Sequence, residues 1–396
     1  MAIECREYSD RDALVQSPVV SVVMPAYNHE KYIADAIEGV VGQNAGFSIE
    51  LIVGDDCSPD LTASIALGFL ARFPEIIRVM RWQQNVGMHE NAHHLLKAAR
   101  GRYIAFCEGD DCWHRSDKLA SEVRILESRK DAALVCSNWR TIADDGTIIT
   151  QNALCLPPQE VHPLDLDHIL AGQIKTASVC ARANLLLGVL RDSPLCQLGR
   201  YPFGDAPLWV AVSQLGRCFC LSDELASYRL SSNSATRPRN IMNVYRFVAG
   251  AAEFKWDVLS LYPLRRGEGA TKAAMAAASR VLLRASAMLG DANRAEEQFA
   301  RLRALAIPPT IHDRLLHSLA LATQRGRPLG PIFRAVLVLW HSVMRRILPL
   351  RGRTEAQPEA TMSTESMGAE HSHLNDSDVA ASCSTPLHNA PARETE

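Results

Sequence analysis

Residues 102–113 read Arg-Tyr-Ile-Ala-Phe-Cys-Glu-Gly-Asp-Asp-Cys-Trp, and the fold class turns on this stretch. Tyr103 to Cys107 is a short apolar run, the pattern of a strand buried on both faces. It passes without a break into Glu108, Gly109, Asp110 and Asp111. Carboxylates crowded at the exit of a buried strand raise one another's pKa unless a cation lies between them. Oxygen ligands of this kind suit a hard divalent cation, Mn2+ or Mg2+, which bridges one or two carboxylates to substrate phosphates. A solvated acidic turn has the same composition, so the neighbouring stretches must decide.

Those stretches repeat the pattern. Val19 to Met24 predicts a buried strand closed by Pro25, followed by the loop Ala26-Tyr27-Asn28-His29-Glu30 and a helix with Ile33, Ala36, Ile37 and Val40 on one face. Ile49 to Val53 predicts a second strand ending at Gly54-Asp55-Asp56, after which Ser58 is expected to cap a helix that has Pro59 at its first position. Ile77 to Trp82 predicts a third strand, and Asn85-Val86-Gly87 turns into a helix bearing Leu95 and Leu96. Another helix opens at Asp117 and a further strand runs from Ala132 to Cys136. Apolar strands alternating with helices imply an α/β fold whose mostly parallel sheet is covered on both faces. Such sheets bind ligands at the carboxyl ends of their strands. Three of these ends carry polar clusters, Tyr27-Asn28, Asp55-Asp56 and Glu108-Asp110-Asp111, and that coincidence disfavours the solvated turn. A nicotinamide-binding domain is excluded by the lack of a Gly-x-Gly-x-x-Gly turn after the first strand, and no Gly-Lys-Ser/Thr phosphate loop is present.

Composition narrows the class further. The chain has 396 residues, 47% hydrophobic and 22% charged, enough to bury a sizeable core. A net charge of −2 gives no reason to expect a nucleic-acid partner. The 11 cysteines include no Cys-x-x-Cys pair and read as reduced thiols of a cytoplasmic protein. Met1 to Asp12 holds no apolar core of a signal peptide, and the run Ala335 to Trp340 is far shorter than the roughly 20 residues of a spanning helix.

The residues resemble a known family at several points in order. Ser21 to Asn28 (Ser-Val-Val-Met-Pro-Ala-Tyr-Asn), Val53 to Asp60 (Val-Gly-Asp-Asp-Cys-Ser-Pro-Asp), Asn85-Val86-Gly87, Glu108 to Trp113 and Phe203 to Trp209 (Phe-Gly-Asp-Ala-Pro-Leu-Trp) are together similar to the inverting glycosyltransferases of family 2, which have the GT-A fold of the nucleotide-diphospho-sugar transferase superfamily. The resemblance implies a nucleotide-binding set of Pro25, Tyr27, Asn28, Glu30, Asp55, Asp56, Gly87 and Arg229, with Tyr27 beside the base and Asp56 and Asp55 accepting from base and ribose. It implies a metal set drawn from Glu108, Asp110 and Asp111, with Mn2+ or Mg2+ neutralising the leaving diphosphate, although a glutamate stands where the family's Asp-x-Asp begins. Asp205 is the implied general base, and the same position also suits a helix N-cap. Arg229, in a Tyr-Arg pair, reaches the diphosphate or else ends a strand at the surface, and Thr176-Ala177-Ser178 is placed near the acceptor. The Gln-x-x-Arg-Trp of processive synthases is absent, which favours single additions. His89, His93 and His94 share a helix and read as surface residues, since zinc needs further ligands that the sequence lacks.

From Ile241 onward the pattern is helical, with helices expected over 241–262, 270–289, 292–305 and 311–324. Residues 331–348 form a basic amphipathic helix carrying Trp340, which either docks on the domain or lies on an anionic membrane surface. Residues 351–396 contain no aromatic residue and are expected to be disordered. The expected organisation is a leader over 1–17, a GT-A domain over 18–235, a helical region over 236–350 and a tail over 351–396. The expected activity is transfer from a nucleotide-diphospho-sugar, a UDP-sugar above others, to a glycan or lipid-linked acceptor of surface polysaccharide, in the cytoplasm with association at the inner membrane face. A nucleotide-sugar-binding protein without turnover and a metal-dependent phosphohydrolase are the rival readings.

Overall fold

The computed structural model describes residues 3–156, 160–230 and 240–324. In chain order β1 (Cys5–Tyr8) leads into β2 (Val20–Ala26), α1 (Ile33–Val41), β3 (Ile49–Asp55), α2 (Thr62–Arg72), β4 (Ile77–Trp82), α3 (Met88–Ala98) and β5 (Tyr103–Phe106). The short β6 (Cys112–Trp113) follows, then α4 (Lys118–Ser128), β7 (Ala132–Ile142), β8 (Ile148–Thr150), β9 (Val161–Leu164) and α5 (Leu166–Leu170). Next come β10 (Val179–Arg182), α6 (Ala183–Asp192), α7 (Asp205–Ser213) and β11 (Arg217–Arg229). Four helices, α8 (Ile241–Leu261), α9 (Glu268–Leu289), α10 (Ala292–Ala304) and α11 (Ile311–Gln324), complete the described chain close to where the sequence places them. The helix expected over 331–348 and the tail over 351–396 lie outside the described residues.

One sheet of 11 strands runs in the order β1-β4-β3-β2-β5-β10-β7-β11-β6, with β8 on β7 and β9 on β11. The central β4, β3, β2 and β5 are parallel, as are β7 and β11. Antiparallel β10 lies between β5 and β7, so its start meets the edge where the parallel strands end. That topology delivers the one-turn helix Thr176–Ser178, just before β10, to the same edge as Asp55 and Glu108. The fold is α/β, with a mixed sheet that is parallel at its centre.

Both faces are covered, which is why the strands are mostly apolar. Ile33, Ile37, Val40, Phe69, Leu119 and Leu126 pack on one face. Leu95, Leu96, Leu186, Trp209, Val212 and Phe254 pack on the other. Full burial of each such side chain stabilises the fold by about 1.5–3 kcal/mol. At the amino end of the parallel strands sits a buried ion network: Arg78 and Arg100 pair with fully buried Glu50 at 3.2 and 2.7 Å, and Ser21 donates to Glu50 at 2.5 Å.

Two local expectations are corrected. Pro25 does not close its strand, because β2 continues to Ala26. Pairing with β5 stops at Val23, so the missing N–H of Pro25 falls where no partner awaits it, while its carbonyl accepts from Gly109 at 3.1 Å. Ser58 does not cap α2, which begins at Thr62 after Leu61. Its hydroxyl accepts instead from the Asn28 backbone at 3.0 Å.

Candidate active site

Three loops converge at the carboxyl edge. The first, after β2, is pinned to the loop after β3: His29 N–H donates to Thr62 Oγ1 at 2.8 Å and Glu30 N–H to Asp60 at 3.0 Å. Asn28 adopts a left-handed φ of 61°, which turns the chain sharply there. Tyr27, 46% exposed, presents its ring to the open side. Glu30 accepts from Leu61 N–H at 3.1 Å, so its carboxylate holds the two loops together.

The Asp55-Asp56 pair is buried. Asp55 accepts from Ser58 N–H at 3.2 Å and pairs with Arg81 at 3.3 Å. Asp56 accepts from Val86 N–H at 2.7 Å and Gly87 N–H at 2.9 Å, one on each oxygen. Burial pushes the Asp56 carboxyl up, and the two backbone donors pull it back. Asp56 therefore clamps the Asn85–Gly87 turn, and Gly87 begins α3.

After β5 the chain turns at Glu108, whose carbonyl accepts from Asp111 N–H at 3.0 Å. Gly109 packs against the first loop so closely that a Cβ there would lie 2.8 Å from His29 Nδ1 and 3.0 Å from Ala26 Cβ. Only glycine permits that approach. Glu108, partly covered at the bottom of the cleft, is pushed up to about 8 by burial and by the charges of Asp110 and Asp205, against the pull of Lys175. Asp111 is buried; its Oδ1 accepts from Arg229 N–H at 2.8 Å and its Oδ2 has no hydrogen-bond partner. Burial, Asp110 and Glu108 raise its carboxyl well above the usual range. Asp110 lies 3.9 Å from His29 Nε2.

Across the cleft Asp205 accepts from the Thr176 hydroxyl at 3.1 Å. It is the first residue of α7, with Gly204 at the N-cap and no side-chain cap bond, so the capping role is not filled by Asp205. The segment before it is anchored on α8: Tyr201 and Phe203 meet Phe254 edge-on at 5.1 and 5.4 Å, and Tyr201 O–H donates to Asp257 at 2.7 Å. Trp113 Nε1 donates to Ala177 O at 2.8 Å, which holds the turn bearing Thr176. Lys175 lies 5.2 Å from the Trp139 ring centre and 5.0 Å from that of Tyr228.

Among the described residues, no three His, Cys, Asp or Glu side chains come together as a complete ion site. The donors nevertheless fit a hard cation. Glu108 and Asp110 offer carboxylate oxygen beside the orphaned Asp111 oxygen, their mutual repulsion would be relieved by positive charge, and such ions take their remaining ligands from water and phosphate.

Residues 21–182 match the family described as Glycosyl transferase family 2. Over this segment the chain is similar to family 2 glycosyltransferases. An uncharacterized protein of Mycobacterium tuberculosis is 36% identical over 165 residues, which cover 41% of this chain and 46% of that protein. TuaG of Bacillus subtilis, named for teichuronic acid biosynthesis, is 35% identical over 130 residues, covering 33% of this chain and 50% of TuaG. This chain spans about half the length of these curated relatives. The crystal structure of S. aureus TarS superposes with a TM-score of 0.50 at 17% identity, over 77% of this chain and 53% of TarS, and so shares the fold.

Several expectations change with the geometry. Arg229 is neither at the surface nor open to a diphosphate: it is 3% exposed and donates to Asp110 O at 2.8 Å and to Ala143 O and Asp144 O at 3.1 Å. It fastens the Glu108–Asp111 turn to the β7–β8 hairpin. Asp56 spends both carboxylate oxygens on loop contacts and Glu30 and Asp55 one each, whereas Tyr27 stays open. The three histidines of α3 are half-buried and not surface residues; His94 stacks edge-on against Trp82 at 4.9 Å, and His89 abuts Gly204. The α8 anchor of the Asp205 segment and the Lys175–Trp139–Tyr228 cluster escaped sequence reading, since only the β10 topology brings the latter to the cleft. Every described cysteine is a free thiol, and no described helix is long and apolar enough to cross a membrane.

Proposed function

We propose that this chain is a metal-dependent inverting glycosyltransferase that moves a sugar from a nucleotide-diphospho-sugar, a UDP-sugar, to a glycan or lipid-linked acceptor of surface polysaccharide. The observation that carries this reading is the placement of Asp205, bonded to Thr176, opposite Glu108 and Asp110 at one cleft edge. Residues 18–235 form the transferase domain in this reading, and the helices α8 to α11 follow it. Tyr27 stacks on the nucleotide base, with Pro25, Asn28 and Gly87 shaping the surrounding loop. Asp205 removes the proton of the attacking acceptor hydroxyl. Thr176, donating to one Asp205 oxygen, leaves the other free to face that hydroxyl. With one base on the acceptor side and no second carboxylate as nucleophile, the displacement inverts the anomeric centre. A bound Mn2+ or Mg2+ at Glu108, Asp110 and Asp111 would supply Lewis-acid neutralisation of the leaving diphosphate. The UDP choice rests on the resemblance of 53–60 to a uracil-contacting loop, and the acceptor class on the name of TuaG. A cytoplasmic location, with association at the inner membrane face, belongs to the same proposal.

A nucleotide-sugar-binding protein without turnover is the second reading, favoured by Glu108 standing where the family's metal motif begins with aspartate. Nucleotide release from UDP-, GDP- and dTDP-sugars, with Mn2+ or Mg2+ and with or without an acceptor extract, separates the two. Acceptor-stimulated release that falls about 100- to 10,000-fold in Asp205→Asn establishes the transferase. Tight nucleotide binding without release under any condition establishes the binding protein.

A further inference from the structure

His89 takes no part in the chemistry above, yet it sits against the corner that carries Asp205. A Cβ on Gly204 would lie 3.1 Å from His89 Nδ1 and 3.7 Å from Cε1, so the imidazole fills the space a side chain there would need. The ring is half-buried and lies near the Tyr201 backbone and within reach of the Asp205 charge. Burial lowers its pKa, against both of those contacts. The start of the same helix is tied elsewhere. Gly87, the N-cap of α3, donates to Asp56 at 2.9 Å, and Val86 donates to the other Asp56 oxygen at 2.7 Å. One helical turn thus joins the nucleotide loop at one end to the Asp205 corner at the other.

We infer that His89 is a positioning residue that couples the nucleotide loop to the general base. Nucleotide bound against the Asp55-Asp56 loop fixes the Asn85–Gly87 turn; the first turn of α3 is then fixed, and His89 holds Gly204 and Tyr201 so that Asp205 meets the acceptor hydroxyl. The inference rests on the reading of Asp205 as base. Besides His89 from α3, the groups facing Asp205 are the Thr176 hydroxyl and the Glu108 carboxylate, the latter itself facing Lys175 and Asp110. None of these lies on α3, so the contribution of His89 is separable from theirs.

The test compares His89→Ala, His89→Asn, Gly204→Ala and Asp205→Asn with the wild-type full chain. UDP serves as the binding probe in calorimetry, and release from the donor found in the panel above, with acceptor extract, reports turnover. His89→Ala is expected to bind UDP within about twofold of wild type and to lose roughly ten- to a hundredfold in kcat, because a small misplacement of a reacting group costs that much. His89→Asn, which keeps a polar side chain against Gly204, recovers most of the loss. Gly204→Ala, which displaces the ring without touching it chemically, reproduces the loss. Turnover of His89→Ala within about twofold of wild type overturns the coupling, and so does a fall in UDP affinity as large as the fall in kcat. If Asp205→Asn keeps full turnover, the base assignment itself fails; if Asp205→Asn is inactive while His89→Ala is fully active, only the coupling fails.

Discussion

Lys118→Met removes the ammonium that neutralises Glu122, and its cost can be worked out from the surroundings. Neither side chain has exposed surface, and Nζ lies 2.8 and 2.7 Å from the two Glu122 oxygens and 4.3 Å from the centre of the Trp113 ring. Methionine replaces most of the lysine volume, so the loss comes chiefly from the stranded carboxylate. Breaking one partner out of a buried pair costs about 3–5 kcal/mol. The cost depends on pH in a defined direction. Burial pushes Glu122 up to about 7 from 4.5, with Lys118 pulling the other way. The folded value exceeds the unfolded one, so the stability contributed by this group is fully present below about 4.5 and is lost as pH rises through about 7. Removing the lysine strengthens that trend: Lys118→Met is least destabilised near pH 5, where Glu122 takes up a proton, and most destabilised near pH 8. Urea unfolding across this range measures it, and adding Glu122→Leu should restore most of the loss. A loss below about 1 kcal/mol near pH 8, or one independent of pH, refutes the account of this pair as buried and mutually dependent.

Gly109→Ala places a methyl group 2.8 Å from His29 Nδ1; UDP affinity should fall about tenfold, roughly 1.4 kcal/mol, with little change in Tm, as calorimetry and a thermal melt will show. Arg229→Lys cannot reproduce the fork that serves Asp110, Ala143 and Asp144. It should cost about 2–3 kcal/mol in unfolding experiments while leaving the donor KM within about twofold, the reverse of what a diphosphate ligand would give.

The parallel centre of the sheet was readable because Val20, Leu51, Val79 and Ile104 belong to mostly apolar runs, and the polar ends after β2, β3 and β5 marked the edge where the cleft lies. Strand β10 was not readable: Val179–Arg182 is too short for periodicity to identify, and its direction depends on pairing with β5 and β7. Everything that depends on it, including the arrival of Thr176 beside Asp205, was therefore hidden. Arg229 shows a different limit. The residue type is right for phosphate, but burial and three backbone carbonyls give it another task, and only tertiary contacts carry that information. Ser58 fits a cap by local rule, yet Asn28, distant in sequence, claims its hydroxyl. His89 read as a surface residue of its helix because what stands opposite it, Gly204, is brought there only by the tertiary fold.

The insertion of β10 between β5 and β7 also shapes how this chain is born. During synthesis β2 through β5 emerge together and can pair at once, but the outer edge of β5 stays open until Val179–Arg182 leaves the ribosome. Open strand edges invite pairing with other chains, and distant partners close slowly. β6 waits longer still, for β11. The nascent polypeptide therefore displays Glu108 and Asp110 on an unfinished margin, before Asp205 exists, and completes its cleft only when later segments return to seal the sheet from the far side.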